Sequence, residues 1–202
     1  MLLLVTILLA GILVGLGLGG RPQALAEARV RLWWLIPVSL VLQVIPVPRA
    51  DAGLARLLPV GVLLLSYVLL IVVALVNWRT WGFLLILVGL VLNFTVIGMN
   101  HGMPVSAAAI RDSGRPELLE GLTKERGEKH HLAGERDVLL PLADVIPFRE
   151  PFGVVVSVGD LVIDTGGAVF LAAAMLGRPE RRPRRANRRR SVPPEAMWGT
   201  PR

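Results

Sequence analysis

No cysteine occurs in the 202 residues of this chain, so disulfides, thiolate metal sites and thiol nucleophiles are all excluded. Charge is nearly missing from the first hundred residues and crowded into the last twenty-five. Local signatures of chemistry are also missing. There is no Gly-x-Ser-x-Gly elbow, no phosphate-binding Walker loop and no His-Glu-x-x-His pair. The glycine-dense run Gly15-Leu-Gly-Leu-Gly-Gly20 lies within an apolar stretch rather than between a strand and a helix. Enzymatic activity is therefore the disfavoured reading, and no catalytic residue and no cofactor is expected.

What is present is hydrocarbon. Hydrophobic residues make up 53% of the chain and the mean hydropathy is +0.62, above what a soluble domain of this size carries. The uncharged run from Met1 to Gly20 is long enough to span a bilayer. Ala24-Leu-Ala26 offers a peptidase-like site, but the arginines follow the apolar run instead of preceding it, so a retained helix is expected. Further apolar runs give spans at about 2–20, 32–48, 57–76, 81–99 and 160–177. Gly11, Gly15 and Gly19 recur every four residues and suit close helix packing, within the chain or between copies of a homo-oligomer. Residues 1–177 are thus expected to form an all-α membrane bundle of about five transmembrane helices. Residues 101–159 should fold back on it as an extracytoplasmic loop.

Within that loop, Pro104 and Pro116 suit the first turns of short helices over 104–112 and 116–121. The apolar segment 138–148 is too short to span and reads as interfacial or re-entrant. Ser157-Val-Gly-Asp160 has the spacing of a capping box opening the last span. Orientation follows from the basic residues: three arginines in 20–31, one in 77–80 and eight between Arg178 and Arg190 agree on one side. That places the N-terminus outside a plasma or inner membrane and the C-terminus in the cytoplasm. The tail 178–202 reads as disordered, lying on anionic lipid headgroups, and without interleaved aromatics it is not expected to bind nucleic acid.

The polar groups that the apolar runs do carry are the candidate site. Asn93, Asn100 and His101 fall where the fourth span ends, with Gly98, Gly102 and Pro104 shaping the backbone. On the same side lie Asp144, Asp160 and Asp164, and Gly159 sits beside the first turn of the last helix. Asp160 and Asp164 are four apart and share a helix face; Asp164, the deeper one, is expected to find its partners in Asn93 and Asn100. His101, His130 and His131 with the aspartates could supply metal ligands, but the adjacent His130-His131 pair lacks helical metal-site spacing, so no metal is expected. The cluster is read as a structural or small-ligand site of a scaffold or sensor. The alternative is a small transporter or ion-handling protein using Asp160 and Asp164 with Asn93 and Asn100.

Three stretches resemble motifs of a bacterial family of small multi-pass membrane proteins of unknown function. They are Asn100-His-Gly-Met-Pro-Val105, the later His131 with Leu142-Ala-Asp-Val-Ile-Pro147, and Ser157-Val-Gly-Asp160 followed by Ile163 and Gly166. They occur in the family's order. His101 stands where the family pattern has Gly, and Ala143 where a Gly often precedes the Asp. The resemblance implies a fold and no activity.

Overall fold

The computed structural model of the chain describes residues 2–47, 57–124 and 129–178. Its helices are α1 (Leu2–Gly17), α2 (Leu35–Val44), α3 (Leu58–Val76), α4 (Phe83–Asn100), α5 (Ala107–Asp112), α6 (Glu117–Lys124) and α7 (Val158–Met175). Four three-residue strands lie between α4 and α7: β1 (Met103–Val105), β2 (His130–Leu132), β3 (Ile146–Phe148) and β4 (Val154–Val156). The expected all-α class needs that correction. The described residues are mostly helical, with two small sheets between α4 and α7. β1 and β2 pair in parallel, β3 and β4 antiparallel.

Among the described residues, three helices, α3, α4 and α7, are long and apolar enough to cross a membrane; α1 and α2 are shorter apolar helices. Their outward faces are apolar too: Leu13, Val14, Leu40, Val41, Val44, Leu65 and Met99 are all exposed. Such a continuous apolar exterior is stable only in a nonaqueous surrounding.

The second apolar run forms a shorter helix than expected. Pro37 does not interrupt it, because the residue falls in the first turn of α2, where its missing N–H has no helical partner to lose. Pro46 ends it, since the residue before a proline is driven out of the helical region, and Ile45 has ψ 124°. Pro104 likewise does not open a helix. It is a buried strand residue, and α5 begins after Ser106, whose hydroxyl accepts from the Ala109 N–H at 3.2 Å.

Packing is set by small residues. α7 lies against α4 on one face and α1 on the other. On the α4 side, Gly82 and Gly89 meet Gly166 and Gly159, each pair seven residues apart and so two turns along one face. On the α1 side, Gly11 abuts Ala168, and Gly15 abuts Ala172 and Met175. Gly19 takes no part. It lies beyond the helix at φ +83° with open space around it, and Gly20 contacts Met175 instead. The Gly11 and Gly15 face is thus occupied within the chain.

The arginine-bearing connections gather at one end. The Arg21 N–H donates to the Met175 carbonyl at 2.8 Å. Asn77, 4% exposed, accepts from the Arg31 N–H and donates to the Arg31 carbonyl, both at 2.9 Å, and so ties the start of α2 to the end of α3. At the opposite end, residues 101–124 and 129–157 form a cap over the bundle. Its segment 142–145 enters between the helices, where Ala143 is fully buried with Leu63, Val96, Ile97 and Met103. The Lys129 ammonium donates to the carbonyls of Gln43 at 2.6 Å and Ile45 at 3.0 Å. A cation there meets the negative end of the α2 dipole and holds the cap to it.

Candidate functional site

Beneath the cap, α3, α4, α7 and the segment around Asp144 bring their polar side chains together. Asn93, two turns inside the end of α4, is fully buried. Its amide donates to Asp160 Oδ1 at 2.7 Å, and its carbonyl oxygen accepts from the Ser157 hydroxyl at 2.9 Å. Ser157 and Asp160 form the expected capping box. The Asp160 N–H donates to Ser157 Oγ and the Ser157 N–H to Asp160 Oδ2, both at 3.0 Å. One local motif therefore does two tasks: it starts α7, and it offers a hydroxyl and a carboxylate that match the donor and acceptor of one buried amide.

Gly159 makes this approach possible. Any side chain there would collide with the Asn93 amide and stand 2.9 Å from the Gly89 carbonyl oxygen. Tyr67, the one tyrosine in the chain, reaches the cluster from α3, lies against Asn93 and faces Asp160 and Asp144.

Asp144 is held by its backbone. Its N–H donates to the Pro104 carbonyl at 3.1 Å, and its own carbonyl accepts from the Ser106 N–H at 2.9 Å. The side chain is 8% exposed, and its Oδ1 has no hydrogen-bond partner. Burial pushes the Asp144 carboxyl up to about 8, and the nearby Asp160 charge adds to the shift. On β2, the exposed His130 is surrounded by enough protein to hold its imidazole below the ordinary value, with Asp160 pulling the other way.

The remaining expected residues fall elsewhere. Asn100 serves the cap. Its amide donates to the carbonyls of Val96 and Val138, and its oxygen accepts from the Val138 N–H at 2.8 Å. His101 is exposed and ends α4 in the left-handed conformation at φ 53°, which explains why a glycine suits that place and why histidine, tolerant of it, can replace one. Gly102, at φ +145°, is hemmed in by His131 and the Lys129 carbonyl. Gly98 has open space around it, with no atom within 4 Å of where a side chain would begin.

Asp164 requires a correction: it makes no hydrogen bond with Asn93 or Asn100. α7 starts deep in the bundle, under the cap, so its first acid rather than its second stands level with Asn93. His131 Nε2 pairs with Asp137 Oδ1 at 3.0 Å. Among the described residues, no group of three or more His, Cys, Asp or Glu side chains is placed to hold a metal ion.

Tyr67, Asn77 and Lys129 were not identified from the sequence as linking groups. The signal for Tyr67 and Asn77 was their rarity, as a hydroxyl in one long apolar run and an amide closing it. Lys129, one of only two lysines, carries no local pattern that points to α2.

A family model matches residues 27–172, from the approach to α2 through most of α7, and so takes in every residue of the cluster. No curated protein and no solved structure matches the chain. The chain therefore belongs to the family of unknown function designated DUF5317.

Proposed function

We propose that this is a five-span integral protein of a plasma or inner membrane, with its N-terminus outside and its C-terminus in the cytoplasm. In this reading it acts as a non-enzymatic scaffold or sensor whose polar cluster pins an extracytoplasmic cap to the bundle. The carrying observation is the pairing of Asn93 with both Ser157 and Asp160, which satisfies a fully buried amide at the junction of α4, α7 and the cap. A closed hydrogen-bonded joint is what a rigid display surface needs; an open water-filled route would leave these groups solvated.

Five crossings are supported by the tethering of α2. It is only 10 residues long, about 15 Å at helical rise, but its two flanks are bonded to opposite ends of the bundle, to Asn77 and to Lys129. The basic connections at one end and the cap at the other agree with the positive-inside rule. The arginine-rich tail, beyond the described residues, is proposed to rest on anionic lipid at about 1 kcal/mol per basic residue near the surface.

The chain has no cysteine, so single cysteines introduced after Pro48, Thr80, Lys124 and Arg190 report topology without background. Membrane-impermeant maleimide should label the first and third from outside, and the second and fourth only after permeabilisation. Cytoplasmic labelling at position 124 would overturn the five-span arrangement. A second reading, an ion-handling protein, is favoured by one observation: the buried, unpartnered oxygen of Asp144.

A further inference from the structure

We infer that Asp144, Asp160, Tyr67 and Asn93 form a binding site for one small, hard monovalent cation of the sodium class, taken up in competition with a proton. The inference builds on the reading of the cluster as the pin of the cap and adds an occupant to it.

Asp144 is more than nine-tenths buried and its Oδ1 lacks any hydrogen-bond partner, whereas the side chains of Asn93, Ser157 and Asp160 are all paired. It stands among residues that bring oxygen. Its chain neighbours Ala143 and Val145 pack in the same core cluster as Tyr67, and Tyr67 lies against Asn93, which bonds Asp160. The charge balance is unfavourable as it stands. Asp160 is matched by the Asn93 amide and the Ser157 N–H, both neutral donors, so no fixed cation faces either acid from α4 or α7. The groups facing the pair are the Tyr67 hydroxyl from α3, Asp164 one turn further along α7, which adds negative charge near Asp160, and, also toward Asp160, His130 from β2, whose own neighbours are Lys129 and His131. β1 and the start of α5 contribute only the Pro104 carbonyl and the Ser106 N–H, both engaged by the Asp144 backbone. Two carboxylates sharing a site of low polarity require one added positive charge.

The donor set decides the class of that charge. Carboxylate, amide and phenol oxygens suit hard ions, not the softer transition metals that imidazole and thiolate attract. Asp164 stands a turn beyond the pair, so two acids lie at the site itself; with no group of three metal-binding side chains among the described residues, the compensation needed is a single charge. The bound ion would join the cap segment to α3 and α7, so occupancy and seating of the cap are linked.

The test uses the purified full-length protein in detergent or nanodiscs. Its thermal midpoint is followed in sodium chloride against choline chloride at equal ionic strength, at pH 8.5 and at pH 6. At pH 8.5 the midpoint should rise with sodium and saturate, as expected for a ligand of the folded state. At pH 6 the half-saturating concentration should be roughly tenfold higher or more, because the proton competes. Asp144→Asn should remove the sodium response and remain folded. Tyr67→Phe, which keeps the ring packing, should weaken the response without abolishing it. A midpoint that depends on pH but not on sodium would mean a proton alone and overturn the inference, as would a sodium response surviving in Asp144→Asn. Neither result alters the labelling pattern that tests the five-span reading.

Discussion

Replacing Gly159 with alanine is expected to destabilise the bundle by about 3 kcal/mol, near the upper end for overpacking a core. The methyl group would overlap the Asn93 amide and stand 2.9 Å from the Gly89 carbonyl oxygen. Backbone cannot withdraw cheaply, and Asn93 cannot rotate without giving up Asp160 and Ser157 together. The substitution therefore combines steric strain with unsatisfied buried groups, each costly by itself. Gly98→Ala is the matched control. It lies in α4, the helix against which Gly159 packs, with nothing within 4 Å, so relief of glycine's conformational cost should leave stability unchanged or raised by about 0.5–1 kcal/mol. Denaturant or thermal unfolding of both variants in one lipid system checks the contrast. Equal effects at the two positions would mean that the α4–α7 approach is not the tight contact described.

Asp144→Asn should act in the opposite direction and should be most visible at alkaline pH. The carboxyl titrates near its ordinary value of 3.8 when the chain is unfolded and is pushed up to about 8 when folded. Between those values the folded state holds more protons, so stability should fall as pH rises from about 4 to about 8 and then level off. Asparagine has no proton to lose and can donate toward Asp160. In sodium-free buffer the variant should therefore be nearly flat over this range and exceed the parent by a few kcal/mol at pH 8, on the order of 3. Unfolding midpoints at pH 5, 6.5 and 8 suffice. A parent protein that gains stability with pH across the window would contradict the burial of this carboxyl.

How much of this was legible in the sequence depends on whether the signal was local. The capping box was, because Ser157 and Asp160 are three residues apart and the motif is defined by that spacing. The long apolar helices were, because a run of about twenty uncharged residues has few other interpretations. Asn93 was marked as a polar group in need of a partner by the same rule.

Which acid would meet it was not legible. That depends on how deep α7 begins, and the depth is fixed by the insertion of 142–145 among Leu63, Val96 and Ile97, a long-range event. The small sheets were hidden for a related reason: three-residue strands are too short to display a period, and β1 pairs with a segment 27 residues away. The glycine faces were half legible. Spacing four picked out Gly11 and Gly15 but also Gly19, which lies past the helix end, while Gly82/Gly89 and Gly159/Gly166 use spacing seven.

The central claim is that a buried amide and a helix-capping carboxylate hold α4, α7 and the cap together, and a double-mutant cycle on Asn93 and Asp160 measures it most directly. Asn93→Ala and Asp160→Asn are made singly and together, and unfolding free energies are compared in the same lipid at pH 7. Hydrogen bonds between membrane helices average about 0.6 kcal/mol in coupling and reach about 1.7, and this pair, charged at one end and enclosed, should lie toward the upper value. A coupling near 1.5 kcal/mol is the expected result. Strict additivity of the two changes would contradict the account, because the residues would then stand side by side without holding each other.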